Sequence, residues 1–218
     1  FNDNTIIIKP KKDGIINTEY KVEADWSSAS YFFSIVALSK NIELSFLNFR
    51  KDSFQGDINV CKYYELFGIK TTFQNGKLII KKRNNFNYPE KIIIDLKDNP
   101  DLAQTIIVTA FGLNIPTKLT GLSTLKVKET DRIEALRNEL TNLGASCIID
   151  DESIEFFKSN KLNKNYIINT YDDHRMALAF APLSVIFPIE IQDPKVVSKS
   201  FPEFWNILEK LNFSIDFV

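Results

Sequence analysis

Two short stretches of the sequence place carboxylates beside cations at spacings that suit acid–base chemistry on an anionic substrate. They are KETDR, residues 128–132, and DDHR, residues 172–175. Guanidinium and ammonium groups bind phosphates and carboxylates. A spare carboxylate beside such groups can give or take a proton. These residue types therefore predict an anion-binding site with acid–base groups, in which surplus positive charge awaits an anionic ligand.

Each stretch, taken alone, also has a purely structural interpretation as the start of a helix. Asp172 or Asp173 can accept hydrogen bonds from the free N–H groups of a first turn, and so can Thr130 or Asp131. In that case Arg175 lies near the positive end of a helix dipole, where a cation is unfavourable unless an anion accompanies it. The position of Arg175 therefore favours an anion site.

Two further charged residues occur where a predicted strand leads into a predicted helix. Asp98 can cap its helix, and the proline that follows suits a first turn, which leaves Asp101 without a local role. Lys199 occupies the same kind of junction later in the chain. Because corresponding junctions of a repeat protein tend to lie on one edge, we expect Asp101 and Lys199 to lie near residues 128–132 and Arg175.

The composition is that of an ordinary globular protein, with 218 residues, 44% apolar residues and a net charge of −1. The charge argues against a nucleic-acid partner, and no apolar run is long enough to predict a membrane span. Neither a GxxxxGK[ST] nor a GxGxxG nucleotide loop occurs. Cys61 and Cys147 have no second Cys or His at metal-ligand spacing, which predicts reduced thiols, no metal and a cytoplasmic location.

The elements that position these residues form one unit repeated three times, at a period of roughly seventy residues. Each unit is predicted as β-α-β-α-β-β, at about residues 25–84, 91–158 and 165–218, and the third copy lacks its last returning strand. Strand-like runs precede the helices in all three copies, including EYKVEA before the first. Asn75 and Gly76 predict a hairpin turn, and three residues that tolerate a left-handed conformation are predicted helix C-caps, namely Gly68, Gly144 and Asn212.

Four motifs, KVKETDRIEAL, YDDHRMALAF, NPDLAQT and SKSFPEFWNIL, together resemble the 5-enolpyruvylshikimate-3-phosphate (EPSP) synthase family. The resemblance covers the whole chain in order, but only the second half of the family's length. It implies an α/β (α+β) enolpyruvyl-transferase-type domain of three units with pseudo-threefold symmetry. Residues 25–218 would form the C-terminal domain, and residues 1–24 the tail of an N-terminal domain and the crossover. The start at Phe1 likewise suggests a fragment.

The resemblance also implies a reaction. The enolpyruvyl group of phosphoenolpyruvate moves to the 5-hydroxyl of shikimate 3-phosphate, and phosphate leaves, through a tetrahedral intermediate and without a metal or cofactor. The implied partners are these two small molecules. The full-length enzyme would be a monomer in the cytoplasm. The present chain would be inactive alone and would self-associate, because the third unit leaves a strand edge open.

Residue roles implied by the resemblance fall into four groups. Asp101 and Glu129 are implied as catalytic residues, the first as proton acceptor and the second as proton donor. The implied shikimate-phosphate ligands are Asp101, Lys128 and Thr124, and the implied phosphoenolpyruvate ligands are Arg132, Arg175 and Lys199. Supporting positions beside them are His174 and Asp173. Thr124 departs from the family, since many members have an Asn there.

Two other functions remain open from the sequence. A non-catalytic anion-binding module of the same fold would not need carboxylates, so the retention of Asp101 and Glu129 argues against it. An enolpyruvyl transferase acting on a UDP-sugar shares the fold, and only the pairing of KETDR with DDHRM argues against that function.

Overall fold

The computed structural model describes residues 5–10, 19–159 and 162–218. The strand-like residues at the start of the chain also predict a strand pair within residues 1–22, belonging to another domain, but residues 1–4 and 11–18 lie outside the described part. Of the rest, Thr5 has a single bridge pairing, and residues 6–10 and 19–22 form no strand. No described helix is long and apolar enough to cross a lipid bilayer.

The described residues form six α-helices and nine strands. The helices are α1 (Trp26–Leu38), α2 (Val60–Glu65), α3 (Ala103–Leu113), α4 (Arg132–Asn142), α5 (His174–Phe180) and α6 (Phe204–Lys210). The strands are β1 (Glu43–Leu47), β2 (Ile69–Gln74), β3 (Lys77–Lys82), β4 (Ile92–Asp95), β5 (Thr117–Thr120), β6 (Ser146–Ile149), β7 (Ile154–Phe157), β8 (Ile167–Ile168) and β9 (Glu190–Ile191). Short 3₁₀ helices occupy Gly56–Asn59, Pro100–Leu102, Ser123–Val127, Ala181–Val185 and Pro194–Lys199.

The second unit is the complete copy of the predicted β-α-β-α-β-β pattern. Its sheet has the order β4-β5-β7-β6, in which β4 and β5 are parallel and the other neighbours are antiparallel. The first unit repeats one part of this sheet as β1-β3-β2, and the third unit repeats the other part as the parallel pair β8-β9. The three units are therefore related, and each of the outer two shows part of the pattern.

The prediction of a strand before α1 is wrong. Among the described residues, residues 19–24 make one backbone–backbone hydrogen bond to the rest of the chain, from the Ala24 N–H to the Asn48 carbonyl at 2.9 Å. The Ala24 carbonyl accepts from the Gln55 side chain, which is not a strand contact. Tyr20 and Val22, the strand-favouring residues of this run, are 70% and 76% exposed, so neither is buried against a sheet. The closing run SIDFV, at residues 214–218, is not a strand either. Propensity alone does not make a strand where no ladder and no core are available.

Other local predictions are confirmed. Asn75 and Gly76 both have positive φ, 52° and 71°, as a two-residue hairpin turn requires, and they join β2 to β3. Gly68, Gly144 and Asn212 follow α2, α4 and α6 with φ of 79°, 101° and 66°.

Three buried helices, α1, α3 and α5, form the centre of the molecule. Small residues allow them to approach closely, and their few hydroxyls bond to one another. The Thr109 hydroxyl donates to Ser34 Oγ at 2.7 Å, and Ser30 Oγ lies 3.1 Å from Thr105 Oγ1. A Cβ at Gly112 of α3 would lie 2.5 Å from a methyl of Leu38, at the end of α1. These contacts fix α1 and α3 relative to each other along their length.

Candidate active site

Each central helix has an aspartate at its start, but the three aspartates have different contacts. Asp25 caps α1 by accepting from the N–H groups of Ser27 and Ser28. Asp173 caps α5 by accepting from the Arg175 N–H at 2.8 Å. Asp101 lies in the 3₁₀ turn before α3 and caps nothing, so its carboxylate is available to cations of its own unit and of the third unit.

Arg132, the first residue of α4, is the hub of the site. It is 1% exposed, and its guanidinium contacts three carboxylates. Its Nε donates to Asp173 at 2.6 Å, its Nη1 to Asp101 at 3.0 Å and its Nη2 to Glu129 at 2.6 Å. The local fold explains this placement, because Asp131 caps α4 and so directs the next side chain inward. One buried guanidinium therefore holds carboxylates from three separate segments.

Asp101 collects two further cations. The Arg175 Nη2 donates to its Oδ2 at 3.2 Å, and the Arg175 Nη1 donates to its backbone carbonyl at 3.2 Å. Lys128 Nζ lies 3.4 Å from its Oδ1. Asp101 thus links α5 to the segment before α4. The predicted convergence of Asp101, Lys128, Glu129, Arg132 and Arg175 is confirmed.

The remaining predicted residues lie around this cluster. Lys199 Nζ donates to the backbone carbonyl of Asp172 at 2.9 Å and lies 3.2 Å from the Asp172 carboxylate. Lys199 therefore joins the cluster through Asp172, the residue next to Asp173. Thr124 is exposed in the 3₁₀ turn before α4, and among the described residues its hydroxyl makes no contact with the cluster. The structure therefore brings Lys199 to the edge of the site and leaves Thr124 facing solvent.

The sequence argument expected surplus positive charge here, and that expectation is wrong for the described residues. Three cations face three carboxylates, the cations being Lys128, Arg132 and Arg175 and the carboxylates Asp101, Glu129 and Asp173. Buried charges must be paired to be tolerated, so the fully buried members, Arg132 and Asp173, require each other.

Arg175 remains a cation despite its burial. Burial lowers the pKa of its guanidinium, but Tyr31 and the carboxylates of Asp101, Asp57 and Asp173 together raise it above its usual range. Burial also raises the pKa of Tyr31 to about 12, so Tyr31 is neutral at neutral pH and the carboxylates supply the attraction.

His174 is 9% exposed and faces the same carboxylates. Its Nδ1 lies 3.7 Å from Glu129 and 3.9 Å from Asp173, and it has no hydrogen-bond partner within the described part of the chain. Burial lowers the pKa of His174 below its usual 6.5, although Asp173 and Glu129 oppose that shift. His174 is therefore a neutral imidazole at neutral pH and adds no charge to the site.

Glu129, Asp173 and His174 also have the spacing of a metal site, with one ligand atom of each within 4.8 Å of the others. Both carboxylates, however, already accept hydrogen bonds from Arg132. A metal cation would have to occupy the same region as that buried guanidinium. Charge repulsion therefore disfavours a metal here.

Sequence reasoning missed one buried residue that contacts the site's surroundings. Glu139 of α4 is fully buried between Leu136 and Leu140 and bonds to the segment leading into α5. The signal that could have revealed Glu139 is a carboxylate inside the apolar stripe of a predicted amphipathic helix, where a charged side chain is unexpected.

Three related units, of which the second and third place their helix starts around one charged site, define an enolpyruvyl-transferase-type fold. EPSP synthase from Acinetobacter baumannii has a similar fold, with a TM-score of 0.65 and 22% identity over 87% of this chain and 46% of that one. The enolpyruvyl transferase NikO from Streptomyces tendae has a TM-score of 0.59 and 11% identity over 89% of this chain and 44% of that one. Both likenesses concern the fold alone.

Sequence comparison identifies the family. The model of EPSP synthase (3-phosphoshikimate 1-carboxyvinyltransferase) matches residues 2–208, so the chain belongs to this family. The 3-phosphoshikimate 1-carboxyvinyltransferase of Bacteroides fragilis (strain YCH46) is 39% identical over 217 residues, 98% of this chain and 52% of the relative. That of Methanosphaerula palustris is 36% identical over 191 residues, 87% of this chain and 44% of the relative. The chain thus spans about half the length of the curated relatives it matches.

Proposed function

We propose that residues 1–218 form the C-terminal half of a 3-phosphoshikimate 1-carboxyvinyltransferase. This enzyme moves the enolpyruvyl group of phosphoenolpyruvate to the 5-hydroxyl of shikimate 3-phosphate and releases phosphate. The observation that carries the proposal is that Asp101 and Glu129 are held by the two Nη atoms of the single buried Arg132. An acid and a base fixed side by side suit a reaction that removes one proton and adds another.

The proton steps are assigned to these two carboxylates. Asp101 takes the proton of the 5-hydroxyl as its oxygen bonds to C2 of phosphoenolpyruvate, and Glu129 gives a proton to the methylene carbon, C3. In the tetrahedral intermediate the bond from C2 to the phosphate oxygen then breaks, and phosphate leaves. At the same stage C3 loses a proton to Glu129, which restores the carbon–carbon double bond, and the leaving phosphate takes the proton that Asp101 accepted. The sum of these steps is one enolpyruvyl transfer with no net change in protons.

The binding roles follow from charge and exposure. Arg132, Arg175 and Lys199 are assigned to phosphoenolpyruvate, because guanidinium forks and ammonium groups suit its phosphate and carboxylate. Lys128 and Thr124 are assigned to shikimate 3-phosphate, and both are accessible at the rim. Asp101 also belongs to this second set. As its carboxylate turns to the substrate hydroxyls, its present partners, Arg132 and Arg175, become free to bind an anion.

Asp173 and His174 are assigned supporting roles at the same site. Asp173 is fully buried and accepts from both Arg132 and the Arg175 N–H, so it sets the relative position of two of the cations. His174 packs beside Glu129 as a neutral imidazole, and its burial keeps that side of the carboxylate away from bulk water.

Because the curated relatives are about twice as long, we assign the remaining substrate ligands to an N-terminal half. Residues 1–218 alone then cannot position both substrates and are expected to be inactive. The domain limits proposed from the sequence, 1–24 for the crossover and 25–218 for the C-terminal domain, belong to the same proposal. So does a monomeric full-length enzyme in the cytoplasm, which is compatible with the free thiols of Cys61 and Cys147.

The isolated chain is expected to self-associate at the third unit. Within the described residues β9 pairs with β8 alone, so its other edge offers free N–H and C=O groups. A groove of about 910 Å³ borders β8 and β9 and is lined by polar and apolar side chains, the latter including Trp205, Leu208 and Ile215. Light scattering of residues 1–218 should detect dimers or larger species, and a strictly monomeric chain would contradict this part of the proposal.

The test of the activity uses a full-length chimera whose N-terminal half comes from the B. fragilis relative and whose C-terminal half is residues 1–218. Phosphate release should require both phosphoenolpyruvate and shikimate 3-phosphate, and a UDP-sugar should not replace the latter. Residues 1–218 alone should release none. Two results would sink the proposal. One is a chimera that unfolds cooperatively yet releases no phosphate, and the other is turnover by the isolated chain at the chimera's rate.

A further inference from the structure

Glu139 is a buried carboxylate without a cation. It is 0% exposed on α4, and the ion pairs of that helix among the described residues belong to Arg132 and Arg137. An ionised carboxylate is tolerated in such a place only when hydrogen bonds replace its water. The donors that surround Glu139 therefore indicate which part of the molecule it holds.

All of these donors come from one short segment, residues 166–171, which contains β8 and the residues that follow it towards α5. The Asn169 N–H donates to Oε2 at 2.9 Å. Oε1 accepts from the Tyr171 hydroxyl at 2.7 Å, from the Tyr166 hydroxyl at 3.3 Å and from Asn169 Nδ2 at 3.5 Å. Glu139 thus gathers the whole segment onto one side of α4.

The next part of this segment is a strained turn. Tyr171 and Asp172 both have left-handed backbone conformations, with φ of 55° and 56°. A side chain with a Cβ disfavours this region, and two such residues in succession need an outside restraint. Glu139 supplies it on one side through the Tyr171 hydroxyl. Lys199 supplies it on the other by donating to the Asp172 carbonyl.

The turn sets the start of α5. Asp173 follows it directly and donates its N–H back to the Thr170 carbonyl at 2.9 Å, which closes the turn. Arg132 and Glu139 are seven residues apart on α4, about two turns, so they share a face of the helix. That face therefore holds the segment before α5 at two points, Arg132 on Asp173 and Glu139 on Tyr171.

We propose that Glu139, acting through the Tyr171 hydroxyl, is a positioning residue that holds the left-handed turn in the conformation which aims Arg175 at the anion site. Its importance for catalysis rests on the function proposed above. Its effect on the turn does not, so the two claims can be tested separately.

His174 reports on the turn without any assay of activity. It is the only histidine in the chain, so its imidazole signals in the NMR spectrum of residues 1–218 need no further assignment. The charged groups that face it from neighbouring positions are Asp173, Arg175, Glu129 and Arg132. Burial lowers the pKa of His174 below 6.5, so a turn that loosens and exposes the ring should raise that pKa towards 6.5.

The first experiment titrates His174 in the wild-type chain, Tyr171→Phe and Glu139→Gln. Both variants should raise its pKa, because Tyr171→Phe removes the hydroxyl and Glu139→Gln leaves one acceptor oxygen for the Tyr171 and Asn169 donors. The double variant should raise it by less than the sum of the two single shifts, since both variants weaken the same contact. Glu134→Gln, at a partly exposed position on the same helix, is the charge-matched control. Ile154→Val in β7 is the stability control, because it loosens the core of another unit. An unchanged pKa in Tyr171→Phe and Glu139→Gln, or an equal shift in Ile154→Val, would overturn the proposal.

The second experiment measures steady-state kinetics of the same variants in the full-length chimera. The KM for phosphoenolpyruvate should rise about tenfold in Tyr171→Phe and Glu139→Gln, the size expected when a hydrogen bond to a charged group is lost. The KM for shikimate 3-phosphate should change little, because Asp101 and Lys128 lie on other segments. A general loss of folded enzyme would instead lower kcat and leave both KM values unchanged, and that pattern would overturn the positioning role.

The two experiments separate the two proposals. If the wild-type chimera has no activity, the proposed function fails, and the His174 titration alone decides whether Glu139 holds the turn. If the chimera is active but neither variant changes the KM for phosphoenolpyruvate or the pKa of His174, the function stands and the positioning role of Glu139 is wrong.

Discussion

The starts of α1 and α5 are the same local structure in two different surroundings. Asp25 and Asp173 both cap their helices with a side-chain carboxylate. Asp25 is exposed, shares its carboxylate with the Ser28 hydroxyl and has no cation within 4.0 Å in the part of the chain that the structure describes. Asp173 is fully buried and takes up the guanidinium of Arg132. The difference is made by α4 of the second unit, which reaches α5 but not α1.

A helix-capping carboxylate thus becomes part of the candidate active site when a neighbouring unit supplies a counter-ion for that carboxylate. The cap hydrogen bonds are worth about 1 kcal/mol in either place. A buried carboxylate also depends on its ion pair, and loss of the partner costs more than loss of a cap. The two starts should therefore respond very differently to the same kind of substitution.

The largest difference is expected in turnover. In the full-length chimera, Glu129→Gln should lower kcat by roughly 10²- to 10⁴-fold, the range of general acid–base catalysis. Asp25→Asn removes the same charge at the start of α1, where Asn caps as well as Asp, and should leave kcat within about twofold. Steady-state kinetics on the two variants check this. A loss of only a few-fold in Glu129→Gln would exclude it as the proton donor.

The next effect concerns stability. Arg132→Met in residues 1–218 leaves buried Asp173 without a counter-ion and should lower the free energy of unfolding by about 3–5 kcal/mol. Arg137 lies on the same helix and forms a partly exposed ion pair with Glu134. Arg137→Met should therefore change the free energy of unfolding by no more than about 0.5 kcal/mol. Urea unfolding measures both. Similar losses in the two variants would show that the Arg132 network is not a buried ion cluster.

A smaller effect is expected in substrate binding. Arg175→Ala should raise the KM for phosphoenolpyruvate in the chimera and leave kcat largely intact, because it removes a charged clamp. Hydrogen bonds to charged groups contribute about 1.5–3 kcal/mol, which corresponds to roughly 10- to 150-fold. An unchanged KM would rule this role out for Arg175.

The cap of α1 gives a still smaller effect. Asp25→Ala should lower the free energy of unfolding by about 1 kcal/mol, through loss of the bonds from the Ser27 and Ser28 N–H groups. The KM values of the chimera should not change. A rise in the KM for phosphoenolpyruvate would mean that the start of α1 also serves the site, and the contrast with α5 would no longer hold.

The smallest effect is the pH dependence contributed by His174. Since its folded pKa lies below the usual 6.5, the unfolded chain binds more protons between those two values. Its contribution to stability is therefore full above pH 6.5 and is lost as the pH falls towards the folded pKa. Urea midpoints at several pH values should decrease through this window, and His174→Gln should flatten the decrease. If the urea midpoint of His174→Gln decreases as steeply as that of the wild type, other groups cause the pH dependence.

Much of the site was predictable because its residues carry local signals. Arg175 near a helix start, Asp101 without a capping role and the KETDR run are unfavourable or unexplained unless they share a site, and the structure brings them together. Glu139 was not predicted as a contact, because its partners lie about thirty residues away and are uncharged. The predicted strand at residues 19–24 failed for the opposite reason, since its apolar residues find no core to cover.

The sequence by itself determined the three-unit pattern, the hairpin turn at Asn75 and Gly76 and the helix ends, because these depend on local backbone preferences and hydrophobic spacing. It also determined the family, through motifs that span almost the whole chain. Only the tertiary structure decided which charged groups of the site are paired. Whether Arg132, Arg175 and Lys128 await an anion or already face carboxylates depends on distances between segments far apart in the chain, and burial makes the pairing of Arg132 obligatory.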